Sequence, residues 1–231
     1  MTILSSVFGS SVGKKFIVGI TGLAICLFIV AHLLGNLNLL IGKEAFLDYA
    51  KNLHALPGFL VVELLFAAAF LVHIAMTIKL ILENKAARPV DYAVKKSAGV
   101  KTLGSATTKI TGIYLLLFLI FHLLNIKFAV IPSIDTIPSA IAGVAPNVYE
   151  VISYSFKNLG LVLFYIGGAV CVGIHISHGF QSSFQSLGLN SPKYMPLLRT
   201  ISNLFGVLVA IGYTVISVFM FIVANMKGTT L

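Results

Sequence analysis

The sequence predicts an all-α integral membrane protein with five transmembrane helices. Of its 231 residues, 58% are hydrophobic and only 10% are charged, whereas soluble domains carry about 25% charged residues. The charges collect in short segments between long apolar runs. Each run reaches the roughly 20 helical residues that a bilayer core of about 30 Å requires. Because backbone groups in lipid must be paired within their own segment, helix is the expected structure of every run.

Five apolar runs define the spans, which we call spans I to V in chain order. The predicted spans cover residues 16–41, 55–80, 109–130, 157–187 and 199–226. We expect the whole chain, residues 1–231, to form one membrane domain. Consecutive spans cross the membrane in opposite directions, so we expect spans I to IV to form an antiparallel bundle.

The distribution of basic residues predicts the orientation. With the N-terminus inside, eleven lysines and arginines fall in inner segments and five in outer ones. This bias places the N-terminus in the cytoplasm and the C-terminus outside. The net charge of +9 forms no basic patch with interleaved aromatic residues, so we expect no nucleic-acid partner. Cys26 and Cys171 lie inside apolar runs without CxxC or CxxCH spacing, which excludes a thiolate metal site and a c-type haem.

Histidines occur in four consecutive spans. Span I contains His32, span II contains His73, span III contains His122, and span IV contains His175 and His178. A single membrane histidine is more often a packing residue than a ligand. One in each of four neighbouring spans is much less expected by chance, and an ionisable residue inside a membrane is a functional hypothesis by default.

These histidines fall at two depths. Since a helix rises 1.5 Å per residue, His32 and His122 lie roughly 24 and 18 Å from the inner ends of their spans. His73 lies roughly 9 Å from its inner end, and His178 is about as close to its own. Two imidazoles that face each other across a bundle are what bis-imidazole haem ligation requires. The depths therefore predict two stacked b haems, whereas one tetrahedral zinc site would need all ligands at one level.

Span IV offers two candidate ligands for the inner haem, His175 and His178. We prefer His178 because Gly179 follows it and its depth matches that of His73 better. His175 would then bond a haem propionate or another helix. Gly168 precedes His178 by ten residues, and a glycine there would let a porphyrin edge approach the backbone.

A repeat relates spans I and III. Residues 20–34 and 110–124 share the pattern ITG-x4-LF-x3-HLL. The shared histidine indicates that the two spans make equivalent contacts. Gly22 and Gly112 each lie ten residues before that histidine, at the depth of the inner pair. Either they pack against a porphyrin, or they are ordinary small-residue contacts between helices.

Several segments resemble one known family. The run HGFQSSFQSLGLNSPKY (178–194) strongly resembles part of the cytochrome b subunit of succinate dehydrogenase and fumarate reductase, in its single-chain, five-helix, dihaem form. The segments KKFIVGITGL (14–23), AHLLGN (31–36) and AARPVDYAV (86–94) are also similar to it. The resemblance spans essentially the whole chain.

The resemblance implies a membrane anchor in a bacterial cytoplasmic membrane. Spans I to IV would surround the two haems, and span V would pack outside. His32 and His122 would ligate the haem distal to the soluble subunits, and His73 and His178 the proximal one. The implied partners are a flavoprotein subunit, an iron–sulfur subunit and a quinone, usually menaquinone. Ile176 stands where some members carry a glutamate linked to proton movement, which puts that proton route in doubt.

Three carboxylates are candidates for a quinone or proton site. Glu63 is the only acidic residue within a predicted span and is level with the outer haem. Its carboxylate would transfer protons at an outer quinone site or hydrogen-bond a haem propionate. Alternatively, it would only extend to the nearby membrane–water interface. Glu44 and Asp48 lie in the outer segment between spans I and II. The family places a carboxylate in this general region, but the loop does not align residue by residue.

Arg88 and Lys193, at the inner face, are further candidates for propionate contacts together with His175. The chain has no flavin motif, cysteine-rich cluster site or nucleophilic constellation. Succinate or fumarate chemistry would therefore occur in partner subunits. Two other functions stay open: a cytochrome b subunit of the formate dehydrogenase or hydrogenase type, and a haem-free transporter or scaffold.

Overall fold

The computed structural model describes residues 9–87, 103–131, 137–141 and 146–226. Its α-helices are α1 (Ser11–Asn36), α2 (Lys43–His54), α3 (Phe59–Ala86), α4 (Leu103–His122), α5 (Pro138–Ile141), α6 (Val148–Ser155), α7 (Leu159–Ser186) and α8 (Met195–Asn225). Spans I to V correspond to α1, α3, α4, α7 and α8. All five are long and apolar enough to cross a membrane, so the prediction of an all-α protein with five membrane-crossing helices is confirmed.

Spans I, II, III and V extend further at their predicted inner ends than the charge pattern indicated, whereas span IV ends at Ser186, one residue before its predicted end. Span II continues past Lys79 to Ala86, because a lysine at a membrane surface can extend its ammonium to water without interrupting the helix. Its outer end begins at Phe59, four residues later than predicted. Gly58 precedes it with φ of +80°, a left-handed conformation that glycine adopts without strain.

Neighbouring spans pack antiparallel in the order II–I–IV–III, with span V against span IV. Lys14 of span I meets Glu83 of span II at the inner end, while Phe28 meets Phe66 further out, at 5.2 Å between ring centroids. Span V lies mainly on span IV and also touches span I. Within the described ranges spans II and III do not pack closely along their lengths, and the Glu63–Lys127 ion pair joins them at one end.

The outer end is closed by short helices. α2 packs against spans I and II, and α6 packs against spans III and V. Their apolar side chains join a buried cluster of Leu39, Phe46, Tyr149, Ile152, Phe156, Val162, Tyr165, Ile216 and Met220. The III–IV connection contains α5 and α6 in its described part.

Candidate functional site

The structure brings the predicted outer pair together. The ring centroids of His32 and His122 are 5.9 Å apart, with their planes at 85°. Phe28 stacks on His32 at 5.3 Å and 13°, and Phe118 stacks on His122 at 5.7 Å and 15°. In each case the phenylalanine lies four residues before the histidine, on the same helix face. The LF-x3-H element of the repeat is therefore also a structural repeat.

This pair has the spacing that a shared metal requires. An imidazole nitrogen lies about 2.0 Å from a bound metal, so two imidazoles on opposite sides of one metal have centroids about 6 Å apart. His122 Nδ1 is buried and has no hydrogen-bond partner in the described part of the chain. The ring centroid of Tyr165 lies 5.9 Å from that of His122, and the ring centroid of Tyr213 lies 6.1 Å from that of His32. Two imidazoles in an aromatic, apolar setting fit the axial ligation of haem iron.

His73 lies at a second level, nearer the predicted inner end. Its Nδ1 is 3.2 Å from the hydroxyl oxygen of Thr21. A Cβ atom at Gly22 would lie 3.3 Å from His73 Cε1, so the glycine lets the imidazole pack directly on the backbone of span I. Gly22 precedes the outer-pair histidine of span I by ten residues, which separates the two levels by about 15 Å along the helix.

His175 makes the same contacts in the other half of the bundle. Its Nδ1 is 3.1 Å from the hydroxyl oxygen of Thr111, and a Cβ atom at Gly112 would lie 3.6 Å from His175 Cε1. Thr111 and Gly112 occupy the ITG element of the repeat, as Thr21 and Gly22 do in span I. The repeat therefore places His175 as the counterpart of His73.

His178 lies in different surroundings. Its Cβ is 2.8 Å from where a Cβ at Gly104 would stand, and its buried Nδ1 has no hydrogen-bond partner among the described residues. Its predicted ligand role stays a prediction, but the repeated contacts favour His175 as the partner of His73. Gly168, predicted to admit a porphyrin edge, packs against the ring of Phe118.

A buried polar network adjoins the outer pair and was not foreseen from the sequence. The helix of span III continues after His122 as a π-helical turn, Leu123–Lys127. Within this turn Asn125 is fully buried. It accepts a 2.6 Å hydrogen bond from Tyr165 Oη, and its amide nitrogen donates to Ser155 and to the carbonyl of Ile131. A single asparagine near the end of an apolar run was the one available signal.

The predicted quinone-site carboxylates do not gather in one place. Glu63 forms an ion pair with Lys127, joining spans II and III at their outer ends. Glu44 and Asp48 occupy exposed positions on α2. Another carboxylate, Glu150 of α6, pairs with Lys43 at 3.5 Å. A quinone site at the outer end therefore stays a prediction.

The remaining predicted residues lie apart from the histidines or outside the described ranges. Lys193 is exposed, with its ammonium 5.5 Å from the ring of Tyr194. Arg88 lies outside the described residues. Ile176 is buried among apolar side chains. Gly173, two positions before His175, packs against span V, so neither histidine of span IV has a carboxylate two residues before it.

The site thus consists of one adjacent histidine pair, His32 and His122, and further histidines at a second level. In the ranges that the structure describes, no three or more histidine, cysteine, aspartate or glutamate side chains converge. The outer level pairs spans I and III, and the inner level contains histidines of spans II and IV. No protein-family model, curated protein or solved structure matches this chain.

Proposed function

We propose that this chain is a dihaem cytochrome b that anchors a succinate dehydrogenase or fumarate reductase and carries electrons between a quinone and an iron–sulfur subunit. The observation that carries the dihaem part is the juxtaposition of His32 and His122 at 5.9 Å, with a second histidine level about 15 Å away along the helices. The family assignment rests on the resemblance of residues 178–194 and of the segments 14–23, 31–36 and 86–94.

Each pair would hold one haem. His32 and His122 would be the axial ligands of the outer haem, and His73 and His175 those of the inner haem. A bound haem b supplies reversible one-electron chemistry at iron. The chain supplies ligands in fixed positions, and an apolar setting that limits solvent access and thereby tunes the reduction potential.

The proposed partners are those that the resemblance implies. The chain sits in lipid, where it meets a hydrophobic quinone, which we propose to be menaquinone. With the N-terminus in the cytoplasm and the C-terminus outside, the inner pair lies nearer the cytoplasmic face. An iron–sulfur subunit docked there, with its flavoprotein subunit, would exchange electrons with the inner haem first. We place the complex in a bacterial cytoplasmic membrane.

Haem stoichiometry in the purified complex tests this proposal. We expect two b haems per chain, together with a flavoprotein and an iron–sulfur protein that copurify. His32→Ala should remove one haem and His175→Ala the other. His54→Ala is the matched control, because His54 lies on the exposed surface of α2 with its Nδ1 bonded to the carbonyl of Ala50. A preparation without haem would end the dihaem proposal, and a molybdenum or nickel partner would end the family assignment.

A further inference from the structure

Two threonines occupy equivalent places beside the inner histidines. Thr21 and Thr111 are the threonines of the two ITG elements, and their hydroxyl oxygens lie 3.2 and 3.1 Å from the Nδ1 atoms of His73 and His175. Thr111 is 4% exposed. The same side chain making the same contact in both halves indicates a shared role.

The direction of these two hydrogen bonds follows from the rest of each threonine's contacts. A hydroxyl has one proton to donate. Thr21 donates it to the carbonyl of Ile17 at 2.8 Å, and Thr111 donates to the carbonyl of Thr107 at 3.1 Å. When the hydroxyl proton is on the carbonyl, the hydroxyl oxygen accepts from the imidazole. The ring then donates from Nδ1, which leaves the lone pair on Nε2.

We propose that Thr21 and Thr111 are positioning residues that hold His73 and His175 as Nδ1–H tautomers, so that each presents Nε2 as its metal-binding atom. This inference rests on the proposed function and names the residues that orient its inner ligands. Histidines that bind metals commonly donate their other ring N–H to a neighbouring acceptor, which fixes the ring and raises the basicity of the ligand. In the described ranges neither His178 Nδ1 nor His122 Nδ1 has such a partner, so this positioning contact is confined to His73 and His175.

Valine replacements test the role, because valine keeps the branched shape of threonine and removes the acceptor. We expect Thr21→Val to reduce haem affinity at the inner level on the order of 10-fold. The midpoint potential of the haem that remains should rise, since a less basic imidazole stabilises ferric iron less. Thr21→Ser should restore both properties. Thr108→Val is the matched control: Thr108 lies one turn before Thr111 and bonds the carbonyl of Gly104.

A second readout does not depend on haem. Histidine ¹⁵N chemical shifts of the full chain, purified free of haem in detergent, report the tautomer of each ring. His73 and His175 should carry the proton on Nδ1, and Thr21→Val should shift His73 towards the other tautomer while leaving His175 unchanged. An Nε2–H tautomer in the unaltered chain, or no response to Thr21→Val, would overturn the inference. If the unaltered chain instead binds no haem, the proposed function fails, and the shifts still decide the positioning role.

Discussion

Removing the hydroxyl of Tyr165 should destabilise the outer end of the bundle. Tyr165→Phe keeps the ring that lies beside His122 but deletes the 2.6 Å hydrogen bond to Asn125. Asn125 is 0% exposed, so water cannot replace the lost donor without opening the core. An unsatisfied buried acceptor costs about 1–3 kcal/mol. We therefore expect the free energy of unfolding to fall by about 1–3 kcal/mol.

Reversible unfolding by sodium dodecyl sulfate in mixed micelles, followed by far-ultraviolet circular dichroism, measures this loss. Tyr114→Phe is the control, because Tyr114 Oη donates at 2.9 Å to the carbonyl of Phe164, which already belongs to a helix. That variant should lose less, about 1 kcal/mol or below. Equal losses in the two variants, or none in Tyr165→Phe, would refute the view that Asn125 depends on this one donor.

Three further predictions concern the remaining polar and close contacts. The side chain of Lys14 is 4% exposed, whereas that of Glu83 is 40% exposed. Glu83→Gln leaves the buried Lys14 charge unpaired and should lower the free energy of unfolding by up to about 3–5 kcal/mol, whereas Lys14→Met leaves only the half-exposed Glu83 charge and should lower it by about 1 kcal/mol or less. The same unfolding titration measures both losses, and equal losses would contradict this difference. Gly173→Ala would place a Cβ atom 2.5 Å from the carbonyl oxygen of Gly206 on span V. This overpacking should lower the free energy of unfolding by about 1–3 kcal/mol. An unfolding curve that matches that of the unaltered chain would show that span V shifts without cost. Burial acts to raise the pKa of Glu150, but hydrogen bonds and a neighbouring lysine outweigh it and hold the pKa below its usual value. The Glu150 carboxylate therefore stabilises the fold at pH values above its ordinary pKa of about 4.3, and this contribution disappears as the pH falls through the lower pKa of the folded state. Glu150→Gln should therefore reduce the loss of stability at acid pH. An unchanged loss would show that the Glu150 carboxylate does not contribute to it.

The architecture was predictable because lipid imposes strong constraints on sequence. Long apolar runs bounded by charges fixed the number and type of the spans. Their ends were less predictable, since Lys79 continues a helix that its charge seemed to end. The short helix α2 was missed because it is amphipathic and contains few apolar residues.

The depth of the site histidines along their helices was predictable, but the side chains that each histidine contacts were not. The rise per residue correctly brought His32 and His122 to one level. Depth and the following Gly179 favoured His178 over His175, although the two differ by less than one turn, whereas the contacts in the structure favour His175. That choice required knowing which ring meets Thr111, and side-chain direction on a helix depends on packing against neighbours.

The central claim is that imidazoles from four spans bind two haems. The most direct measurement is a redox titration of the purified full-length protein with its partners, followed at the reduced b-type absorption band. We expect two transitions in the unaltered chain, one of which disappears in His122→Ala and the other in His73→Ala. A titration that shows a single transition, or one in which both variants lose the same transition, would contradict the account.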